Sequence, residues 1–202
     1  FGWTADEAMS FALLDRFVER GFNAIDTADV YSAWAPGLSG GESEAVIGRW
    51  LARRGRRDDV VLMTKVAKWA PRKGLSAANI QAAVEDSLHR LRTDYLDVYF
   101  AHEDDANVPL EETLGAFSKL VDAGKVRAVG ASNYDAARLR EALAISADRG
   151  FARYEVLQPG YNLYDRAGYE SELAAVTAEH GLGVVSYFSL ASGFLTGKYR
   201  SA

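Results

Sequence analysis

Two hydrophobic periods alternate along the chain. Short runs that are apolar on both faces occur at Asn23–Ala28, Asp59–Val66, Tyr95–His102, Lys125–Ser132, Tyr154–Gly160 and Gly183–Leu190. Such runs suit strands of a parallel sheet that is covered on both sides. Between and before them, apolar residues recur at helical spacing over Ala5–Arg20, Glu42–Arg54, Ala77–Leu91, Leu110–Ala123, Ala136–Ser146 and Gly168–His180. In the first of these, "EAMSFALLDRFVERG", Gly21 supplies the stop. Strand and helix therefore alternate strictly, about centres at Ile25, Leu62, Asp97, Ala128, Val156 and Val184, which predicts repeated βα units. No Pro/Ser-rich linker interrupts them, so residues 1–202 are expected to form one domain.

Two architectures satisfy this pattern, an open doubly wound sheet and a closed (β/α)8 barrel. The open sheet that binds dinucleotides carries G-x-G-x-x-G directly after its first strand, and no run here is followed by one. The Gly-rich stretch "APGLSGGE" lacks that spacing and also lacks the Lys-Ser/Thr of a phosphate-binding loop, so it reads as a surface loop.

Composition narrows the function classes. Of 202 residues, 49% are hydrophobic and 25% charged, enough to build a sizeable core in a globular chain. A net charge of -5, with no Lys/Arg stripe interleaved with aromatics, argues against nucleic acid as a partner. The basic cluster "RRGRR", residues 53–57, suits a solvated helix end that complements the helix dipole. The absence of cysteine removes disulfides and thiolate metal sites and fits a reducing compartment. No run approaches the ~20 apolar residues of a membrane span, and no signal segment opens the chain, so the expected location is the cytoplasm, with no membrane partner.

In a barrel the C-terminal strand ends carry the chemistry. Here they carry Asp26, Lys65, His102, Ser132 with Asn133, Gln158 and Tyr187 in turn. A buried carboxylate needs a cation or water. Strands spaced ~4.8 Å apart bring Asp26, Lys65 and His102 within reach of one another if their strands are consecutive, which makes Lys65 the cation for Asp26.

These residues lie in stretches that resemble the aldo-keto reductases: "GFNAIDTADVY", "MTK", "YFAH", "GKVRAVGASNY", "LQPGYN" and "SYFSLASGFLTGKYR". The resemblance covers essentially the whole chain. It implies a (β/α)8 barrel with a catalytic tetrad of Asp26, Tyr31, Lys65 and His102, reducing an aldehyde or ketone by direct hydride transfer from NADPH, with NADH left open. In that scheme Tyr31 is the proton donor; a free phenol titrates near ~10, and an adjacent ammonium favours the phenolate. Asp26 holds Lys65, and His102 orients the carbonyl oxygen. Ser132, Asn133 and Gln158 match positions that hydrogen-bond the nicotinamide carboxamide, and Tyr187 matches the ring on which the nicotinamide stacks. Leu190 to Lys198, including Gly193, resembles the diphosphate loop, with Lys198 as a charge partner for phosphate.

The chain departs from the family in having Phe188 and Ser189 where Ser-Pro usually follows the stacking aromatic. It is also expected to hold only part of the barrel, lacking most of strand 1 and the strand 8 region. Trp34 and Trp69 are candidate walls of the substrate pocket, and the nearby charges of both signs leave the class of carbonyl open. Two rival readings are a barrel lyase with a Schiff base on Lys65 and a non-catalytic nicotinamide-nucleotide-binding barrel acting as a sensor or channel-associated subunit. Oligomeric state is not legible.

Overall fold

A computed structural model of the protein describes residues 1–199. Helix α1 (Glu7–Glu19) leads into five βα steps and a sixth strand. The strands are β1 (Ala24–Asp26), β2 (Val61–Val66), β3 (Leu96–Ala101), β4 (Val126–Ser132), β5 (Tyr154–Gln158) and β6 (Gly183–Val184). Between them run α2 (Glu42–Arg54), α3 (Ala77–Leu91), α4 (Leu110–Asp122), α5 (Ala136–Arg149), α6 (Ala167–Glu170) and α7 (Leu173–His180), and a 3₁₀ segment, Ala191–Thr196, follows β6.

All strand pairs are parallel and the sheet order is sequential from β1 to β6. Gln158, at the end of β5, donates from Nε2 to Asp26 Oδ1, at the end of β1, over 3.1 Å. In a flat sheet four strand spacings would separate these ends by ~19 Å. The sheet is therefore curved into a half-barrel whose strand ends converge, as the alternation and the resemblance led us to expect.

Strand periodicity sorts the side chains. Met63, Val98 and Phe100 meet on the concave face, with Val61 and Val156 against them. Phe100 fits there because Gly130, on β4, has no Cβ; one would lie 2.4 Å from the Phe100 ring. The larger core lies on the convex side, where Leu62, Tyr99, Val129 and Leu157 pack on Trp50, Ile80, Leu114, Phe117 and Leu139 from the helices. Close approach of α2 and α3 depends on Gly48, whose added Cβ would sit 2.1 Å from the Arg90 carbonyl oxygen.

Helix ends follow local chemistry. Asp6, Ser76 and Asp135 accept backbone N–H bonds as N-caps of α1, α3 and α5. Helix α5 runs past the expected stop at Ser146 to Arg149 and ends at Gly150, which takes the left-handed conformation that closes the last turn.

Three expectations are corrected. The run Gly183–Leu190 forms a strand only at Gly183–Val184; an isolated bridge joins Gly160 to Tyr187, and Phe188 turns to φ 62°, which ends extension. The helix expected over Gly168–His180 is broken at Glu172, whose φ of -138° is not helical, giving α6 and α7. The cluster at residues 53–57 is more than a solvated helix end. Arg54 pairs with Asp59 at 2.6 Å, and Arg57 reaches the buried Asp97 at 2.7 Å while lying over the Tyr95 ring. Among the described residues, no helix is long and apolar enough to cross a membrane.

Candidate active site

Asp26 is the last residue of β1 and Lys65 the penultimate one of β2, both facing the concave side. Lys65 is fully buried, so its ammonium needs protein acceptors in place of water. It has three: Asp26 Oδ2 at 2.6 Å, the Thr27 carbonyl oxygen at 2.7 Å and the Tyr31 hydroxyl oxygen at 3.0 Å. An ammonium has three hydrogens, and each has a target here. Asp26 is more open, its side chain 30% exposed, and its second oxygen accepts the Gln158 bond.

Tyr31 lies in the turn that follows β1. The backbone stays paired beside β2 beyond β1, since the N–H groups of Thr27 and Asp29 donate to the carbonyls of Met63 and Lys65. It then coils through bonds from Tyr31 N–H to Ala28 O and from Ala33 N–H to Val30 O. Ser32, at φ 80°, fastens the turn to the N-terminal segment through its hydroxyl, which donates to Phe1 O at 3.0 Å.

His102 follows β3, its N–H held by Val66 O. Its ring stands edge-on to Tyr31, 6.0 Å between centroids. Burial first, then the positive charges of Lys65 and Lys68, push its pKa down to about 3, so the imidazole is neutral throughout the working range. Its Nδ1 is buried and meets no partner among the described residues.

A second cluster touches the first. Asn133, in the left-handed region at φ 57°, donates from Nδ2 to His102 O at 2.8 Å and to Ser132 Oγ at 3.1 Å. Its Oδ1 accepts from the Tyr187 hydroxyl at 2.6 Å. Ser132 Oγ donates to Gln158 O at 3.0 Å. Tyr187 lies against Gly160, where a Cβ would come within 3.3 Å of the ring. Ser132, Asn133, Gln158 and Tyr187 thus form one linked set, and Gln158 Oε1 is left without a protein donor among the described residues. Amide and hydroxyl groups beside an aromatic face suit a planar carboxamide-bearing ring, so the residues present fit the expected nicotinamide.

The loop after Tyr187 is irregular. Ala191, Ser192 and Gly193 all have positive φ, and two of them carry side chains that rarely adopt it. Gly193 lets the Lys198 side chain cross it; a Cβ there would be 3.2 Å from Lys198 Nζ. Leu190 is exposed, and Lys198 Nζ lies 4.9 Å from the centre of the Tyr199 ring. The last residue of the quoted "SYFSLASGFLTGKYR", Arg200, lies outside the described residues.

Trp34 and Trp69 have different surroundings. Trp34 is 58% exposed and stands edge-on to Tyr31 at 5.9 Å. Trp69 donates to Ser39 O at 2.7 Å and has the guanidinium groups of Arg72 and Arg90 over its ring at 5.4 and 5.8 Å, so it links the loop at Ser39 to α3 through Arg90. Sequence reasoning passed over Trp3, which is half exposed and packs edge-on to Trp34 at 5.9 Å. An aromatic in the N-terminal segment was the available signal, but nothing local tied it to Tyr31. The link from Gln158 to Asp26, which couples the two clusters, was also missed.

Comparison with known proteins bears on this arrangement. The model of the Aldo/keto reductase family matches residues 1–202. The chain is 36% identical to "Uncharacterized oxidoreductase YrpG" of Bacillus subtilis over 98% of its own length and 62% of that protein's. It is also 36% identical to "Aldo-keto reductase YhdN" of the same organism, over 96% and 55%. A third relative, "Probable voltage-gated potassium channel subunit beta" of Oryza sativa, is 36% identical over 98% and 60%. The chain thus spans 55–62% of the length of these relatives. With the family model matching from end to end, on a parallel half-barrel whose strand ends carry these groups, the chain belongs to the aldo/keto reductase family.

Proposed function

We propose that the protein is an oxidoreductase that reduces an aldehyde or ketone with NADPH or NADH, Tyr31 acting as general acid. The observation that carries the reading is the buried Lys65 ammonium, held at once by Asp26 and by the Tyr31 hydroxyl oxygen. Reduction of a carbonyl by hydride creates an alkoxide that must be protonated. Because Lys65 donates to the Tyr31 oxygen, the phenolic hydrogen is free to point toward the mouth. The phenolate left after transfer rests beside a positive charge that needs no reorganisation. Neutral His102, edge-on to Tyr31, serves as the second hydrogen-bonding group for the carbonyl oxygen.

The reduced nicotinamide supplies the hydride when bound. Ser132, Asn133 and Gln158 would hold its carboxamide and Tyr187 would support its ring. Lys198 would meet the diphosphate, with Leu190 and Gly193 shaping that loop. Trp34 and Trp3 would form one wall for the substrate's apolar part.

A Schiff-base role for Lys65 is disfavoured because its three hydrogens all have acceptors, whereas an attacking amine needs a free lone pair. A second reading, a non-catalytic nucleotide-binding barrel associated with a channel, has support for its channel association alone, from relatives named as probable voltage-gated potassium channel β subunits. Nucleotide binding measured by tryptophan quenching, combined with multiple turnover of a panel of small aldehydes, separates the readings: binding with turnover supports the reductase, and binding without turnover supports the second.

A further inference from the structure

On the convex side of the sheet, behind the tetrad, lies a buried polar cluster that the proposed chemistry does not use. Asp29 is three residues past Asp26 on backbone still paired with β2, so the two-residue alternation turns its side chain to the opposite face. It is 2% exposed, and its Oδ1 has no hydrogen-bond partner among the described residues. Glu44, fully buried on the first turn of α2, accepts from Thr64 Oγ1 at 2.6 Å and pairs with Arg90 at 2.6 Å. Thr64 precedes Lys65 and is the register partner of Tyr99, whose buried hydroxyl also lacks a partner.

The charges facing Asp29 come from several elements: Glu44 from α2, Arg90 from α3, Arg72 from the loop after β2, with the Tyr99 phenol from β3. Both guanidinium groups are committed elsewhere, Arg90 to Glu44 and Arg72 to Asp86. A neutral carboxyl at position 29 therefore suits the site. An ionised one would be a second buried carboxylate without a cation of its own. The escape open to it is outward movement of the start of the turn, where the bonds are long, Asp29 N–H to Lys65 O at 3.3 Å and Tyr31 N–H to Ala28 O at 3.2 Å, while Ala33 N–H to Val30 O and Ser32 Oγ to Phe1 O, both at 3.0 Å, hold its far end. That turn carries Tyr31.

We propose that Asp29 is a proton-dependent positioning residue: its neutral carboxyl seats the turn that presents Tyr31 to Lys65, and its ionisation releases that turn. Burial, with the Glu44 charge second, pushes the Asp29 pKa up to about 7, which puts the change within the neutral range. The seating claim stands apart from catalysis, and only its effect on turnover rests on the proposed role of Tyr31.

The test is ¹³C NMR of the protein labelled at tyrosine Cζ, with the Tyr31 signal assigned by Tyr31→Phe. The expected result is a step in the Tyr31 shift with a midpoint of about 7, absent in Asp29→Asn. In Glu44→Gln the midpoint should move to lower pH, because the like charge is gone. A wild-type signal with no such step, or a step that persists in Asp29→Asn, overturns the proposal. Should Asp29→Asn not fold, Glu44→Gln decides: a displaced midpoint supports the proposal and an unmoved one overturns it. In turnover, kcat should fall through the same midpoint in the wild type and not in Asp29→Asn, with nucleotide affinity unchanged. A step in the NMR signal without turnover at any pH would support the seating role while counting against the reductase reading.

Discussion

Replacing Asp29 by Asn should make the protein more stable at alkaline pH and change little in acid. The sign follows from linkage. The folded state holds the Asp29 proton up to about 7, whereas the unfolded chain releases it near 3.8. Between those values the unfolded state binds fewer protons, so wild-type stability falls as pH rises and levels off above the folded pKa. At about 1.36 kcal/mol per unit, a shift from 3.8 to about 7 corresponds to a total of about 4 kcal/mol. Between about pH 5 and pH 8 the remaining loss is about 2.5 kcal/mol. Asparagine keeps the size and a donor without the charge. Urea unfolding followed by tryptophan fluorescence, run on both proteins across that range, isolates the effect in the difference between them. The stability of Asp29→Asn relative to wild type should rise by about 2–3 kcal/mol from about pH 5 to pH 8. A constant offset at all pH values would refute the argument, because it would mean that the folded protein releases the Asp29 proton at the same pH as the unfolded chain.

Lys65→Met should abolish most turnover, at least ~100-fold, as expected when charge stabilisation at a reacting oxygen is removed. Its stability should fall by about 1–3 kcal/mol, because Asp26, part-exposed, and the Thr27 carbonyl lose the cation that they share; kinetics and urea midpoints on one preparation check both. His102, pushed down to about 3, should keep a neutral ring from about pH 8 to pH 5 in ¹⁵N-detected histidine spectra, and a titration of that ring near the ordinary histidine value would contradict its burial. Gly48→Ala should destabilise by about 1–3 kcal/mol, because the new methyl meets the Arg90 carbonyl at 2.1 Å and must part α2 from α3. Thermal unfolding reads that loss directly.

What was legible in the sequence was local or periodic. The apolar runs that became β1 to β5 needed only their own composition, and the strand-end residues Asp26, Lys65 and His102 came together because consecutive strands are neighbours in the sheet. The region after β5 was harder to read. Gly183–Leu190 has strand composition, yet Tyr187 is held by Asn133 and Phe188 turns left-handed, so distant bonds and backbone sterics decide the path. Trp69 was legible as an aromatic of the loop after β2, but its bond to Ser39 and its place beside Arg72 and Arg90 depend on where the other loops and α3 lie. Arg57 looked solvated because its partner Asp97 lies forty positions away. Asp29 sits in the same short motif as Asp26 and Tyr31; its opposite orientation follows from strand parity continuing past β1, which only the backbone bonds to β2 establish.

The central claim, that Asp26, Lys65 and Tyr31 form a proton-donating unit for carbonyl reduction, is tested most directly by Tyr31→Phe. The variant keeps the ring that packs on Trp34 and loses only the hydroxyl that Lys65 touches. Its turnover of an aldehyde should fall about 10²- to 10⁴-fold, the usual worth of a positioned general acid, with nucleotide affinity and stability unchanged. Turnover within a few-fold of wild type would contradict the account.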